Sequence, residues 1–283
     1  MNRRDAISRA GAAMALGVTV DFAPLERAAQ INAGRLRQSV CQWCYDKIPL
    51  DELCVAAKRI GLQSVELLGE KDWATVKRHG LTCAMANGPS TIRVGFNRPS
   101  EHDRLVAESE RLLPLVAAAE LPNMIVFSGN RDGMSDGEGL ENCVKGLQRI
   151  TPTAERLGVT VCMELLNSKV DHKDYMCDRT PWGAELVKRV ASPRFKLLYD
   201  IYHMQIMEGD VIRTIRENAA HIGHFHTAGV PGRNEIDETQ ELQYPAIMRA
   251  IADLNYTGFV GQEFIPKRDP LTSLAQGVKI CEV

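Results

Sequence analysis

The chain has 283 residues, of which 45% are hydrophobic and 25% charged, proportions typical of a globular protein that buries a full core. Its 34 Lys and Arg balance its 36 Asp and Glu, which excludes a general electrostatic affinity for nucleic acid or for an acidic membrane surface. We therefore expect a small ligand that is neutral or singly charged.

The first 30 residues differ in composition from the rest of the chain. Arg3 and Arg4 precede the apolar run AISRAGAAMALGVTV, which Arg9 interrupts and which is too short to span a bilayer stably. This pattern resembles a twin-arginine export signal. We expect residues 1–30 to be that signal and the protein to be exported or periplasmic. The alternative is the frayed basic terminus of a cytoplasmic protein.

Eight cysteines are a poor guide to disulfide pairing in this chain. Cys41, Cys83 and Cys162 lie in strand-like runs, where a free thiol behaves as a small buried hydrophobe. Cys41 and Cys44 have the C-x-x-C spacing of redox motifs, but they lie in or just after a strand. A thioredoxin-like pair opens a helix instead, so we do not expect that role.

From Leu36 onward, short apolar runs alternate with longer segments of helical periodicity about eight times. The predicted strands are, in chain order, QSVCQWC, LQSVELL, LTCAMAN, NMIVFSG, VTVCMELLN, FKLLYDI, HIGHFHTA and GFVGQEF. The predicted helices are Asp51–Ile60, Glu101–Glu120, Gly139–Leu157, Pro181–Val190, Val211–Asn218 and Tyr244–Leu254. Pro181 directly after Thr180 is typical of a capped helix start.

This alternation predicts an α/β fold. Strands separated by helices pair in parallel through right-handed crossovers, and eight such units in about 250 residues match a closed (β/α)8 barrel. An open doubly wound sheet is the alternative, but residues 43–46 (WCYD) occupy the place of its Gly-rich phosphate turn. No low-complexity linker interrupts the chain after Leu36. We therefore predict a single TIM-barrel domain over residues 36–283.

Four residues of metal-ligand type stand at the ends of four successive predicted strands, where the chemistry of such barrels gathers. They are Glu164 in VCMELLN, Asp200 in LLYDIYH, His226 in GHFHTAG and Glu263 in VGQEFIP. Strand alternation allows all four to point inward, and three inward carboxylates repel one another unless a cation lies between them. We therefore predict one divalent ion. Mn²⁺, Mg²⁺ or Co²⁺ suits this oxygen-rich set, with Zn²⁺ as the alternative.

A histidine and an arginine lie beside this predicted centre. His203 follows Asp200 by three residues, just past the strand end, where its ring can polarise a substrate carbonyl as charge develops. Arg233 stands in the Gly-rich turn GVPGR, where a guanidinium is suited to bidentate capture of a carboxylate. The respective alternatives are a surface loop histidine and a solvated loop arginine.

Three further polar residues are predicted to bind substrate, namely Glu66, Asn167 and Gln205. Glu66 ends the second strand in VELLG, where it hydrogen-bonds substrate or a metal-bound water, or else is a buried structural acceptor. Asn167 and Gln205 are expected to bind sugar hydroxyls. Trp43 and Phe127 are expected to form an apolar wall, with plain core packing as the alternative.

The motifs MELLNS, YDIYHMQIMEGD, GVPGRNE and GFVGQEFIP resemble those of the xylose-isomerase-like barrels, and among them the hydroxypyruvate isomerase group. The resemblance covers nearly the whole chain after Leu36. It implies that Glu164, Asp200, His226 and Glu263 hold a divalent metal. It also implies that the two glutamates can move protons.

The sequence departs from the hydroxypyruvate isomerases at three positions. The hydroxypyruvate isomerases usually carry Gln at the position of His226, where the related ketose 3-epimerases carry His. They also tend to carry His at the position of Asn234 and Lys at that of Ile265. The resemblance therefore predicts the fold and the metal site more firmly than the substrate.

Together these features predict a metal-dependent isomerase of a small α-hydroxycarbonyl compound, either a hydroxy-keto acid or a sugar. A metal on the carbonyl and hydroxyl oxygens acidifies the C–H between them and stabilises an enediolate, while Glu164 or Glu263 accepts the proton. Conversion of hydroxypyruvate to tartronate semialdehyde is the leading activity. The alternatives are a ketose 3-epimerase, a keto-sugar lyase or dehydratase, and a non-catalytic sugar-binding barrel. A homo-oligomer is compatible with the sequence.

If residues 1–30 are a twin-arginine signal, a variant that lacks the arginine pair should accumulate in a different compartment from the wild type. Replacing both Arg3 and Arg4 with lysine should hold the protein in the cytoplasm, because the twin-arginine pathway requires the pair. Arg9→Lys, in the same segment, is the matched control. Fractionation of expressing cells measures the distribution, and an unchanged distribution of the double variant would show that the segment is not such a signal.

Overall fold

The computed structural model describes residues 35–283, and the predicted export signal lies outside the described residues. Seven strands occur in residues 35–283, all of them buried along most of their length. They are β1 (Arg37–Cys41), β2 (Ser64–Glu66), β3 (Asn123–Val126), β4 (Thr160–Glu164), β5 (Phe195–Asp200), β6 (Ile222–Thr227) and β7 (Phe259–Gln262).

Ten α-helices accompany these strands in the same part of the chain. They are α1 (Leu50–Ile60), α2 (Glu70–Arg78), α3 (His102–Ala118), α4 (Asp136–Leu147), α5 (Thr151–Leu157), α6 (Thr180–Val190), α7 (Ile201–Met207), α8 (Val211–Asn218), α9 (Tyr244–Asp253) and α10 (Pro270–Ile280). None of these described helices is long and apolar enough to cross a membrane.

The seven strands form one parallel sheet in the order β2-β1-β7-β6-β5-β4-β3, so β2 and β3 are its two edges. The segment 82–86 joins these edges. Thr82 makes a parallel bridge to Ser64 in β2, and Ala86 makes parallel bridges to Leu68 and to Met124 in β3. The ring is therefore closed, and the predicted α/β (β/α)8 TIM barrel is confirmed.

The predicted third strand, LTCAMAN, is irregular because two side chains take over its backbone hydrogen bonds. Ser64 Oγ accepts a hydrogen bond from the Ala84 N–H at 2.8 Å, and Asn123 Nδ2 donates to the Ala84 carbonyl at 2.8 Å. These bonds satisfy the polar groups of Ala84 without a regular ladder. The segment keeps its predicted place in the barrel but makes only isolated bridges.

The predicted helix over Gly139–Leu157 is wrong, because two helices occupy this region. Helix α4 ends at Leu147 and α5 begins at Thr151, with Pro152 in its first turn. Proline lacks the N–H that a continuous helix needs, although it fits the first turn of a new helix. Helices α2, α7 and α10 are not among the predicted helices.

The core lies mainly between the strands and the helices, whose apolar faces cover the outside of the barrel. A small separate cluster fills part of the interior, formed by Met85, Ile125, Cys162 and Leu198. All eight cysteines are free. Burial raises the pKa of the Cys162 thiol to about 12, so this thiol stays protonated and packs as an apolar group.

Candidate active site

The carboxyl ends of β4, β5, β6 and β7 bring four side chains to one point. One ligand atom from each of Glu164, Asp200, His226 and Glu263 lies within 4.8 Å of the other three. The relative exposure of these residues is between 0% and 4%. Asp200 and His226 are register partners in neighbouring strands, which fixes their spacing. We refer to these four residues as the four-residue centre.

Several polar atoms of the four-residue centre lack a partner within the described chain. Glu164 Oε1, Asp200 Oδ2 and His226 Nδ1 are buried without a hydrogen bond. His226 Nδ1 lies 3.0 Å from Glu263 Oε2, but the two atoms are not oriented for a hydrogen bond. A buried polar group without a partner costs about 1–3 kcal/mol, and a charged one costs more. Three carboxylates and one imidazole converge on one point, and all but Glu263 have an atom without a partner there. This donor set fits a divalent cation.

The carboxylates differ in their electrostatic surroundings. Burial raises the pKa of Asp200 well above its usual range, and it also raises the pKa of Glu164. Burial alone would raise the pKa of Glu263 too, but the charges of Arg233 and His226 hold it well below its usual range. Without a bound cation, Glu263 is therefore ionised while Asp200 and Glu164 tend to take up protons.

A buried carboxylate fixes the ring of His226 from behind. Glu66 Oε1 lies 2.8 Å from His226 Nε2 and 2.9 Å from His224 Nε2, and all three residues are fully buried. The Nε2 proton of His226 points at Glu66, which leaves Nδ1 as the atom that faces the other carboxylates. Glu66 Oε1 is thus a buried acceptor inside the barrel, while Glu66 Oε2 has no partner within the described residues, so the predicted bond to substrate or to a metal-bound water stays a prediction.

Gly261 allows this carboxylate to reach the two imidazoles. A Cβ atom at this position would lie 2.3 Å from Glu66 Oε1 and 2.8 Å from His226 Cδ2. Movement of either neighbour would disturb the hydrogen bond between them. Any side chain at position 261 would therefore displace the carboxylate or the ring.

His203 is presented to the site in one defined form. Asp200 caps helix α7 by accepting a hydrogen bond from the His203 N–H at 3.0 Å. His203 Nδ1 accepts hydrogen bonds from the Asn167 backbone N–H at 3.2 Å and from Asn167 Nδ2 at 2.6 Å. Burial lowers the pKa of His203 well below its usual value, so the ring is neutral with its proton on Nε2. That buried N–H has no partner among residues 35–283.

Asn167 uses its amide to hold the surrounding loop. Its Nδ2 also donates to Asp171 Oδ2 at 2.6 Å, and its Oδ1 accepts from the N–H groups of Val170 and Asp171. These bonds leave no free amide atom for a sugar hydroxyl, which was the predicted role of Asn167. Gln205 Nε2 donates to Glu241 Oε1 at an exposed position, and Gln205 is not among the residues that line the cavity beside Glu164 and Glu263.

Arg233 is a largely buried part of the site. Its guanidinium lies between the rings of Trp43 and Tyr202, 5.0 Å and 5.5 Å from their centroids. It donates to Glu263 Oε2 at 2.7 Å and lies 3.7 Å from Asp200 Oδ2. The side chain is only 13% exposed, so Arg233 is not a solvated loop arginine.

A cavity of about 610 Å³ opens onto Glu164, Glu263 and Arg233. Trp43 and Phe127, the predicted apolar wall, both line it. Ile92 and His172 are among the lining residues that the sequence patterns did not predict. They lie in loops, where no strand or helix periodicity marks an inward position.

The chain is similar to known proteins over most of its length. A family model described as "Xylose isomerase-like TIM barrel" matches residues 54–281. The chain is 39% identical over 110 residues to 2-oxo-tetronate isomerase of Cupriavidus necator, covering 39% of this chain and 42% of the relative. It is 34% identical over 113 residues to a putative hydroxypyruvate isomerase of Homo sapiens, covering 40% and 41%. The match thus spans about two fifths of each relative.

The fold is also that of a solved structure described as AP endonuclease, family 2, from Brucella melitensis. The two structures superpose with a TM-score of 0.75 at 24% sequence identity. The match covers 86% of this chain and 99% of the other. At this identity the likeness concerns the fold alone.

The four-residue centre predicts the binding of one divalent ion. Titration of the purified protein with MnCl2 in a calorimeter should give one site, and Asp200→Asn should weaken it about 100-fold, or about 3 kcal/mol. Asparagine keeps the cap of α7 but removes the charge. Asp210→Asn, an exposed acid outside the centre, is the control. Equal affinity of wild type and Asp200→Asn would contradict this prediction.

Proposed function

The chain belongs to the xylose isomerase-like TIM barrel family, and from this membership we propose that it is a metal-dependent isomerase of a small α-hydroxycarbonyl compound. The proposed activity is most like that of hydroxypyruvate isomerase, converting hydroxypyruvate to tartronate semialdehyde. Relatives named hydroxypyruvate isomerase and 2-oxo-tetronate isomerase support it. The observation that carries the proposal is the convergence of four ligand atoms within 4.8 Å, beside the buried guanidinium of Arg233.

Glu164, Asp200, His226 and Glu263 would hold the ion. When bound, a divalent ion withdraws electrons from the carbonyl and hydroxyl oxygens of the substrate and so acidifies the hydrogen between them. Mn²⁺, Mg²⁺ or Co²⁺ suits the three carboxylates, with Zn²⁺ as the alternative.

We assign proton abstraction chiefly to Glu164. Both oxygens of Glu263 are engaged, Oε1 by Trp43 Nε1 at 2.9 Å and Oε2 by Arg233 at 2.7 Å. Glu164 Oε1 has no hydrogen bond within the described residues, and the raised pKa makes the ionised carboxylate a stronger base. We assign to the Nε2–H of His203, which has no partner within the described residues, a hydrogen bond to the substrate oxygen on which negative charge develops.

Arg233 is the proposed partner of a substrate carboxylate. Stacking between Trp43 and Tyr202 holds the guanidinium in place, which lowers the entropic cost of capturing an anion. Its Nε is buried without a partner among residues 35–283, so one donor remains free for a ligand. This arrangement favours an acid over a neutral sugar.

A ketose 3-epimerase is the second candidate, favoured by His226 and by the position of Glu263. The ketose 3-epimerases carry His at the position of His226. Epimerisation also requires that a proton be removed on one face of the substrate and returned on the other. Glu164 and Glu263 come from different strands, β4 and the end of β7, and could serve the two faces.

We also propose that the protein is exported. This part of the proposal depends on Arg3 and Arg4 alone, and fractionation of the double lysine variant tests it.

Replacement of Arg233 should separate acidic from neutral substrates. With Mn²⁺ present, Arg233→Ala should lower kcat/KM on hydroxypyruvate by about 2–4 kcal/mol, because a buried charge partner is lost. On a neutral ketose, the loss should be about 1 kcal/mol, the size of one ordinary hydrogen bond. Arg233→Lys keeps the charge without the planar fork and should be intermediate. Similar losses on both substrates would contradict the assignment of Arg233 to a carboxylate.

The two glutamates distinguish an isomerase from an epimerase. In a one-base isomerase, Glu164→Gln should abolish both turnover and exchange of the substrate C–H with deuterated solvent, while Glu263→Gln retains part of both. In a 3-epimerase, Glu263→Gln should abolish turnover yet leave exchange at Glu164. NMR of the substrate in D2O measures exchange, and retention of full turnover by Glu164→Gln would refute the assignment of the base.

A further inference from the structure

His172 lies in the cavity but has no part in the chemistry described so far. It belongs to the loop between β4 and α6 and lines the same cavity as Glu164 and Arg233. Its ring centroid lies 5.2 Å from that of His203, so it stands next to the reacting region. A residue in this position can contact a substrate that extends past the four-residue centre.

The backbone of His172 is fixed while its ring is unpaired. The His172 N–H donates to the Asn167 carbonyl at 3.1 Å, and the His172 carbonyl accepts from the Tyr175 N–H at 3.0 Å. By contrast, neither ring nitrogen takes part in a hydrogen bond within residues 35–283, and Nε2 is buried. Buried polar atoms of folded proteins nearly always have a partner, so a partner from outside the chain is expected.

The ring is suited to a neutral partner that both donates and accepts. Burial and the nearby positive charge of Arg233 lower the pKa of His172 below its usual value. The ring is therefore neutral near pH 7, with one donor and one acceptor nitrogen. A hydroxyl group can partner the buried Nε2 in either tautomer, because it both donates and accepts, whereas an ionised carboxylate only accepts.

A three-carbon hydroxy-keto acid leaves His172 without a function. Its carbonyl and hydroxyl oxygens belong at the four-residue centre, and its carboxylate belongs at Arg233. No polar group then remains for His172. The cavity of about 610 Å³ also exceeds what so small a molecule fills, since cavities of this size enclose much larger ligands.

We infer that His172 is a specificity-determining residue that hydrogen-bonds a hydroxyl group on a carbon beyond the reacting pair. The preferred substrate is then a hydroxy-keto acid at least one hydroxyl-bearing carbon longer than hydroxypyruvate. This inference rests on the proposed function and specifies the length of its substrate.

Binding of two unreactive acids tests the inference without turnover. Glycerate and erythronate lack the carbonyl and differ by one hydroxyl-bearing carbon. Calorimetry on the Mn²⁺-loaded protein should show erythronate binding about 5–10-fold more tightly, the effect of one additional hydrogen bond. His172→Leu should abolish this preference, while His172→Gln, which retains a donor and an acceptor, should keep most of it. Lys173→Ala, an exposed neighbour, is the matched control.

Turnover provides the second measurement. The ratio of kcat/KM between the four-carbon and the three-carbon hydroxy-keto acid should exceed about five in the wild type, and it should fall towards one in His172→Leu, mainly through KM. Equal binding of glycerate and erythronate by the wild type, or an unchanged ratio in His172→Leu, would overturn the inference. Turnover of neither acid would overturn the proposed function, and the binding comparison would still decide the role of His172.

Discussion

The arrangement of charged residues at the carboxyl ends of the strands depends on one constraint, the mutual repulsion of three buried carboxylates. Two unit charges about 4 Å apart interact by about 4 kcal/mol at an effective dielectric constant of 20. Arg233 and His226 stabilise the charge on Glu263, but Asp200 and Glu164 retain unpaired buried oxygens. The chain's own cations thus balance only part of the charge, and a proton or a divalent ion must balance the rest. The unbalanced negative charge raises the free energy of the folded chain, and the same charge favours the binding of a metal ion.

Two histidines present different ring nitrogens to the site, and in each case a neighbouring residue determines which nitrogen that is. Glu66 keeps a proton of His226 on Nε2, so Nδ1 is the atom available to a ligand. Asn167 donates twice to Nδ1 of His203, so the proton of that ring lies on Nε2. Nδ1 of His226 can therefore offer a lone pair to an ion once it has lost its own proton, whereas Nε2 of His203 offers a donor, although both rings are fully buried. The difference arises from the partner behind each ring.

The sequence predicts those features that depend on local spacing. Runs of period two followed by helical segments identify the barrel, and they place Glu164, Asp200 and Glu263 at strand ends. Features that depend on distant contacts are missed. The bond between Asn167 and His203 joins residues 36 positions apart, and the irregular segment 82–86 owes its geometry to side chains of other strands. The missed break between α4 and α5 is different, because Pro152 marks it in the sequence.

Gly261 shows how a residue without a functional group can control the chemistry of its neighbours. Its missing Cβ leaves the space through which Glu66 Oε1 reaches His226, and the carboxylate in turn orients the ring. A substitution at this position would shift the proposed ligand His226 or its partner Glu66, although the sequence would still contain all four residues of the centre. Comparisons that score only ligand identity would then count such a chain as an intact enzyme. In this barrel, the small residue in the strand beside His226 should therefore be compared together with the four residues of the centre.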